Sequence, residues 1–376
     1  MTVQRLHHAT AATRPGGRRL SAAAGSIIAL VIVALIAGCS SSADKSINAL
    51  PRITMHRAYI SKQQFHAPYA LAADSNGNVW FTEYQNNAIG RLTPAGEVLR
   101  FALGGPGFPE RLAPGADGRI WFTDPVGNRI GRLDPVSAVL TYFTLATPMA
   151  GADGIAGGAD GAIWFTEHAA NRIGRIDRDG AIIEYALPHD GGPGEMIAGR
   201  DHDLWFAEDR ANAIGSITTA GSIKEFKIPT ASSRPGGLAI GSDGTLWFTE
   251  LAANKVGKIS RDGVATDYLL PPRGVPLGIA SAADNIWITI AKAHMFYRIG
   301  RDGKLQSLKA NSDTYPGFIA AGPDQSLWFT EPGGKIGRLT PPASITEFAI
   351  PEASEKSTRQ VQSSDIAPVS NTRVTQ

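Results

Sequence analysis

The sequence predicts an all-β protein, a seven-bladed β-propeller of four-stranded antiparallel blades. A motif such as "LWFTE" at 246–250 recurs in seven related forms along the 376 residues, and each form carries one tryptophan. The tryptophans are spaced by 41, 43, 41, 42, 40 and 41 residues. Repeats of this length are typical of propeller blades or of helical arrays. Glycine and proline interrupt each unit, and none contains an unbroken helical period of a dozen residues, which argues against helical arrays.

One unit, residues 236–271, divides into four short strands. "GGLAIG" and "TLWFTE" flank the turn "SDG", and "KVGKIS" and "ATDYLL" flank the turn "RDG". The second strand is apolar on both faces, as expected when a blade packs between two others, with Trp filling the gap. A glycine in the third strand is expected to allow close approach of a neighbouring ring. This glycine recurs as Gly90, Gly131, Gly174, Gly215, Gly257 and Gly337.

The propeller is predicted to span residues 52–351, and two segments could close its ring. "SITEFAIP" at 344–351 could form the outer strand of blade seven. "RITMHRAYI" at 52–60 has a similar pattern and could fill the same place, so the sequence leaves the choice open. The polar tail at 352–376 is predicted to be disordered.

The first 38 residues predict a lipoprotein signal peptide. Four arginines and no acid precede the hydrophobic run "IIALVIVALIAG", which ends at Cys39. The residues "LIAGC" resemble a bacterial lipobox, in which the cysteine is lipidated. The alternative is a transmembrane anchor with an incidental cysteine. Residues 39–51 then form a flexible tether, and the protein is expected to be exported and lipid-anchored to a bacterial membrane, on its extracytoplasmic side.

Charge and cysteine content narrow the class of partner. Residues 1–38 hold four of the 36 basic residues and none of the 34 acids, so the remaining chain has 32 basic residues and a formal net charge of −2. This balance argues against binding to nucleic acid. With Cys39 as the single cysteine, an intramolecular disulfide is excluded. We expect a monomer that binds a small molecule, a peptide-like ligand or a protein partner.

Two positions of each unit are predicted to surround one mouth of the central channel, because the end of the second strand lies beside the start of the first. The later position is acidic in six units, and an acid repeated so often is expected to stabilise its own blade. These residues are Glu83, Asp124, Glu167, Glu208, Glu250 and Glu331, with Ile290 in the sixth unit.

The earlier position varies between blades, and variation is what a binding site on a ring requires. Tyrosine faces suit a ring-bearing or peptide-like ligand, and extra acids favour a cation. The candidate ligand-binding residues at the mouth are Tyr69, Glu110, Asp153, Leu277, Tyr315 and Gly317. The sequence contains no Cys/His metal spacing, phosphate loop or nucleophile elbow, and His168 is the reserve candidate for a catalytic base.

The units "LWFTE…NKVGKI…DG" and their "P-x-G-I" starts resemble the virginiamycin B lyase (streptogramin B lyase) family over residues 53–350. The resemblance implies a seven-bladed propeller and a magnesium-dependent elimination that opens the ester bond of a cyclic depsipeptide. Such a step needs a base and a cation that polarises the ester carbonyl.

The catalytic positions that the resemblance implies are largely unmatched. The two family histidines fall on Leu277 and Gly317, and the glutamate before the second falls on Tyr315. The metal-linked glutamate falls on Pro332, and the family tyrosine of blade one is matched by Tyr69. The favoured function is therefore a lipid-anchored binding propeller without a cofactor.

The alternative function is a magnesium-dependent lyase with relocated groups. His168 is then the candidate base, with Glu110 and Asp153 as further candidates for relocated groups. Glu331, Glu110 and Asp153 are weak candidates for the metal ligands.

Overall fold

A seven-bladed β-propeller is what the computed structural model shows, as predicted. It describes residues 67–104, 106–271, 274–291, 293–310, 314–340 and 344–350. Within them lie seven four-stranded antiparallel sheets and one short 3-10 turn, Tyr84–Asn86. The predicted signal peptide, tether and tail lie outside the described residues. In the described part of the chain, no helix is long and apolar enough to cross a membrane.

Each blade takes four consecutive strands of the chain, and each strand is hydrogen-bonded to the next. Blades one and two contain β1 Leu71–Ala73, β2 Val79–Glu83, β3 Ala88–Leu92, β4 Val98–Ala102, β5 Leu112–Pro114, β6 Ile120–Asp124, β7 Arg129–Leu133 and β8 Leu140–Thr144. Blades three and four contain β9 Ala152–Gly157, β10 Ile163–Glu167, β11 Arg172–Ile176, β12 Ile182–Ala186, β13 Pro193–Ala198, β14 Leu204–Glu208, β15 Ala213–Ile217 and β16 Ile223–Lys227.

The remaining three blades repeat this order. Blades five and six contain β17 Pro235–Ile240, β18 Leu246–Glu250, β19 Lys255–Ile259, β20 Ala265–Leu269, β21 Val275–Ala282, β22 Asn285–Ala291, β23 Met295–Ile299 and β24 Leu305–Lys309. Blade seven contains β25 Ile319–Ala321, β26 Leu327–Glu331, β27 Lys335–Thr340 and β28 Ser344–Ala349.

Of the two segments that could close the ring, the C-terminal one, 344–351, provides the outer strand of blade seven. β28 pairs with β27 in antiparallel register from Ser344 opposite Thr340 to Ala349 opposite Lys335. The other segment, 52–60, lies outside the described residues. Blade seven meets blade one through one buried cluster, in which Trp328 packs with Val79 and Phe81. The ring of described strands is therefore closed by contacts between complete blades.

The repeat tryptophans pack between blades, as predicted. Trp164 of blade three lies in one buried cluster with Met196, Leu204 and Phe206 of blade four. The indole N–H of Trp164 donates to Asp160 Oδ1 over 3.2 Å, so its polar atom is satisfied as well. Burying large aromatic surfaces is the main favourable term in such a fold.

The recurring glycine of the third strand provides space for a phenylalanine ring of the second strand. A Cβ on any of the six glycines would lie 2.0–2.1 Å from the nearest carbon of that ring. In blade six the large and small residues are exchanged. Ile288 stands in the phenylalanine position, and Tyr297 stands opposite it in the glycine position. The combined volume across the sheet is thus roughly kept, as close packing requires.

In six of the seven blades, a threonine of the second strand links the blade to the next one. Thr166 Oγ1 accepts the Gly154 N–H of its own blade and donates to the Gly194 carbonyl of blade four, both over 2.8 Å. The same bridge joins blade seven to blade one, where the Thr330 hydroxyl donates to the Tyr69 carbonyl over 3.2 Å. Blade four has Ala207 at this position. The bridging threonines are Thr82, Thr123, Thr166, Thr249, Thr289 and Thr330.

Candidate functional site

An irregularity at the start of the innermost strand decides which side chains reach the channel. In blade four, Pro193 pairs with Glu208 but Met196 pairs with Phe206, so one extra residue is inserted. Such a bulge breaks the alternation of faces. Two consecutive residues therefore both reach other blades, Gly194 toward Asp153 of blade three and Glu195 toward Arg111 of blade two. Blades three, five and six have the same irregularity.

Arg111 crosses the channel and connects three blades with its own. Its Nε donates to Asp153 Oδ1 of blade three over 2.8 Å. Its guanidinium also forms an ion pair with Glu195 of blade four and lies 4.8 Å from the centre of the Phe318 ring of blade seven. The side chain is only 12% exposed. Arg111 is therefore the hub of a largely buried charge cluster.

Glu110 lies beside this hub in an environment that favours its protonated form. Burial and, to a smaller extent, the nearby Asp153 raise the pKa of Glu110 to about 7, while Arg111 and His168 oppose the shift. The Tyr69 hydroxyl lies near the Glu110 carboxyl and also lowers its pKa. A carboxyl that titrates near neutrality can exchange a proton with a ligand at physiological pH.

Two other groups of the cluster are held in defined protonation states. Burial raises the pKa of the Tyr69 hydroxyl well above its usual value, so it stays a donor. Burial alone would lower the pKa of Arg111, but Glu195 and Asp153 raise it overall, so the guanidinium stays charged. Tyr69 also packs edge-on against Phe318, with 4.8 Å between ring centres.

His168 is at the edge of the cluster and is oriented by blade four. Its Nε2 lies 3.2 Å from Asp209 Oδ1, and its backbone carbonyl accepts a bond from the Arg210 guanidinium over 2.8 Å. The bond to Asp209 raises the pKa of His168. Electrostatically, His168 lowers the pKa of Glu110. The reserve candidate therefore belongs to the same electrostatic environment as Glu110 and Asp153.

The other predicted mouth residues carry no charge. Leu277 and Tyr315 are half-buried, and Gly317 is buried. The backbone carbonyls of Leu277 and Gly317 accept the Thr249 and Thr289 hydroxyls. The predicted residues are thus divided, with Tyr69, Glu110 and Asp153 in a charged cluster at blades one to three and the uncharged ones on blades six and seven.

Two of the recurring acids that follow the Trp-Phe motif have defined side-chain contacts, and these contacts are not in the channel. Glu83 forms an ion pair with Arg100 of the outer strand β4. Asp124 Oδ2 lies 2.7 Å from Arg129 Nε, and Asp124 Oδ1 accepts the Gly127 N–H over 2.9 Å. These two acids stabilise their own blades, as predicted. For Glu83 and Asp124, the carboxylate contacts thus lie within the blade, toward its third and outer strands, and not in the channel mouth.

Two of the three weak metal candidates interact with each other in the structure. Glu110 and Asp153 lie close enough for the charge of one to raise the pKa of the other. Glu331 is fully buried at the end of β26, opposite Lys335, in the acid position of its own blade.

Four residues of the cluster were not predicted from the sequence. They are Arg111, Glu195, Asp209 and Phe318. Arg111, Glu195 and Phe318 each follow directly after the residue of their blade that is predicted to line the channel mouth. Blades three, five and six have glycine at this following position, so the larger side chains there are exceptions to the repeat. These exceptions are the sequence feature that could have identified Arg111, Glu195 and Phe318.

Solved structures with the same fold include streptogramin B lyase and virginiamycin B lyase. Virginiamycin B lyase from Staphylococcus aureus is 36% identical, with a TM-score of 0.70 over 73% of this chain and 95% of that chain. A catalytically inactive histidine-to-alanine variant of the S. aureus enzyme with quinupristin is 35% identical, with a TM-score of 0.70 over 74% and 97%. Hydrazine synthase from Kuenenia stuttgartiensis, 13% identical with a TM-score of 0.60 over 73% and 96%, shares the fold alone.

The match to a family profile agrees with the structural comparisons. A search of curated proteins gave no significant match. The profile of the virginiamycin B lyase family matches residues 53–284. The propeller, the repeat motifs and the 35–36% identity over most of the solved lyases point the same way. This chain belongs to the virginiamycin B lyase family.

Proposed function

We propose that the protein is a lipid-anchored, extracytoplasmic binding propeller that holds a cyclic or peptide-like ligand at the channel mouth without opening it. The observation that carries this proposal is the pair Leu277 and Gly317. They stand where the family resemblance implies histidines, and neither side chain can transfer a proton. A shared fold does not supply a function when the reacting groups are absent.

A relative supports binding without turnover. The S. aureus enzyme with one histidine replaced by alanine is catalytically inactive, and its structure contains quinupristin. Loss of a reacting histidine is therefore compatible with a bound streptogramin in that protein. A natural family member with leucine and glycine in the histidine positions would likewise be able to bind such a ligand without opening it.

The charged cluster supports a preference for a cationic or strongly hydrogen-bonding ligand. Glu110, Asp153 and Glu195 face one cation, Arg111, so the cluster has an excess of carboxylates. The Tyr69 ring adds an aromatic surface beside them. A few polar groups beside aromatic walls are typical of small-molecule sites. The ligand would thus contact the charged blades with its polar groups and Leu277 with an apolar part.

A lyase reaction with relocated groups is the second candidate. It is favoured by the pKa of about 7 for Glu110 and by the Tyr69 hydroxyl near that carboxyl. A carboxyl with this pKa could remove an α-proton. Mg²⁺ would then be needed to polarise the ester, and Asp153 is the nearest acid that could bind it.

One experiment separates the two candidates. The full-length protein is incubated with quinupristin, with and without Mg²⁺, and the mixture is analysed by mass spectrometry for the linear product. Binding is measured in parallel by titration calorimetry. We expect binding and no linear product. A magnesium-dependent linear product that disappears in Glu110→Gln would establish the second candidate instead.

Variants of the mouth test the location of the site. Asp153→Asn should weaken quinupristin binding by about tenfold, since a hydrogen bond to a charged group contributes about 1.5–3 kcal/mol. Asp179→Asn, at an exposed turn of the same blade, is the matched control and should bind as the wild type does. Equal binding by both variants would place the ligand elsewhere, and no binding by the wild type would refute this ligand class.

The anchor is tested separately. If Cys39 is lipidated, the wild type should sediment with membranes and incorporate labelled palmitate. Cys39→Ala should accumulate as an unprocessed precursor without label. Normal processing of the variant to a released protein would show that the lipobox interpretation is wrong.

A further inference from the structure

Blade four contains two carboxylates that face each other in its interior. Glu208, at the end of β14, is fully buried, and neither of its oxygens has a hydrogen-bond partner among the described residues. Its side chain crosses β15, because a Cβ on Gly215 would lie 2.5 Å from Glu208 Oε1. Glu225 stands opposite Gly215 on the outer strand β16. Its Oε1 is also buried without a partner in the described part of the chain.

The other blades that carry this acid have a basic residue in one of two nearby places. Blade one has Arg100 in the position of Glu225, where it forms an ion pair with Glu83. Four blades have the basic residue at the start of the third strand, and these residues are Arg129, Arg172, Lys255 and Lys335. Blade four has Ala213 there. Its acid pair therefore lacks the cation that the repeat supplies elsewhere.

His189 approaches this acid pair from the loop between blades three and four. Its Nε2 lies 3.6 Å from Glu208 Oε2, and its Nδ1 lies 3.4 Å from Glu225 Oε2. The loop is fixed by Asn171, whose amide donates to the His189 carbonyl over 2.5 Å and whose Oδ1 accepts the Gly191 N–H over 2.8 Å. His189 is thus held next to two acids for which the described residues provide no other hydrogen-bond partner.

The spacing of the three groups fits a bound metal ion. One ligand atom from each of His189, Glu208 and Glu225 can be chosen so that all lie within 4.8 Å of one another. Three ligands at about 2.1 Å from a tetrahedral ion are about 3.4 Å apart. Only a small contraction of the group is therefore required to reach coordinating distances.

We propose that His189, Glu208 and Glu225 bind one divalent transition-metal ion, with Zn²⁺ as the best match. A site built from oxygen ligands alone would favour Mg²⁺ or Ca²⁺, whereas an imidazole favours Zn²⁺ and its neighbours. The His189 side chain is 48% exposed, so the fourth position is open to water. The ion would link the second and outer strands of blade four to the loop that arrives from blade three.

This site is separate from the charged cluster of the channel mouth. Glu208 and Glu225 lie over the face of their own sheet, toward its outer strand, and Arg111 and its partners belong to the inner strands. The metal proposal is therefore independent of the ligand and of the reaction proposed for the mouth.

Calorimetric titration of the full-length protein with Zn²⁺, after treatment with a chelator, tests the proposal. We expect one Zn²⁺ per chain and a rise in the thermal midpoint when Zn²⁺ is present, because an ion that binds only the folded state stabilises it. Mg²⁺ should bind much more weakly. Absence of Zn²⁺ binding, or Mg²⁺ binding of equal strength, would overturn the proposal.

Three variants localise the ion. Glu225→Gln and His189→Asn should each weaken Zn²⁺ binding by about tenfold or more, since loss even of an outer partner has effects of that size. Glu184→Gln, the same position in blade three, is the matched control and should retain it. If Glu225→Gln and His189→Asn bind Zn²⁺ as tightly as the wild type does, the proposed ligands are wrong.

A fourth variant tests the charge argument without removing a ligand. Ala213→Lys supplies the cation that the other blades carry, so it should abolish Zn²⁺ binding while leaving the protein folded. Retention of full Zn²⁺ affinity by folded Ala213→Lys would contradict the argument from missing charge.

Discussion

Thr166→Val removes one hydroxyl and leaves the shape of the side chain almost unchanged. The hydroxyl is fully buried between blades three and four. It accepts the Gly154 N–H and donates to the Gly194 carbonyl, both over 2.8 Å. The substitution therefore breaks one hydrogen bond within blade three and one bond to the next blade, and valine can replace neither.

The expected loss of stability follows from what the two partners can do afterwards. Gly154 is buried and its N–H bond to Thr166 is a buried one, so the N–H loses its partner away from solvent. Leaving such a group unsatisfied costs about 1–3 kcal/mol. The Gly194 carbonyl is less enclosed, and its lost bond contributes about 1 kcal/mol. We expect the free energy of unfolding to fall by about 2–4 kcal/mol.

Equilibrium urea unfolding, followed by tryptophan fluorescence, measures this loss. Thr144→Val is the control, because Thr144 is exposed on the outer strand of blade two and should change the stability by less than about 0.5 kcal/mol. The slope of the transition should stay constant, so that only the midpoint moves. A loss for Thr166→Val no larger than that of the control would refute the bridging role of the hydroxyl.

Three other perturbations have expected outcomes. Arg111→Met should lower the free energy of unfolding by about 3–5 kcal/mol in the same urea assay, because it leaves buried carboxylates unpaired; no change would contradict its role as a hub. Stability should fall as the pH rises from 4.5 to 7, because folded Glu110, with a pKa of about 7, keeps a proton that the unfolded chain releases. Glu110→Gln should reduce that fall, and an unchanged pH profile would contradict the raised pKa. Ile288→Phe should destabilise blade six by steric overlap with Tyr297, and Tyr297→Gly in the same chain should restore stability; additive losses in thermal unfolding would refute this pairing.

The fold could be predicted because its determinants are local and repeated. The spacing of Trp and the glycine opposite Phe express the packing of one blade, and each is visible within one unit. The sequence of blade six also contains its own exception, because Ile288 replaces the repeat phenylalanine and Tyr297 replaces the repeat glycine. A pattern repeated seven times reveals its own exceptions.

The site could be predicted only in part because it depends on contacts between distant blades. Tyr69, Glu110 and Asp153 were selected because they vary at one position of the repeat, and the structure brings them together. Arg111 was missed because nothing local shows that its side chain reaches Glu195 and Phe318 across the channel. The bulge at the start of the inner strand also brings a second position to the channel, which strict strand alternation would have turned away.

The way in which the ring is closed has a consequence for the order of the blades along the chain. Blade seven takes all four of its described strands from one stretch. Its joint to blade one uses an interblade tryptophan and the same threonine bridge as five of the other six joints. The ring therefore does not depend on where the polypeptide starts. A circular permutant with new ends between β20 and β21, and with a flexible linker joining the old ones, would retain each joint. Each blade would then keep its two neighbours, although the first blade of the new sequence would be the present sixth.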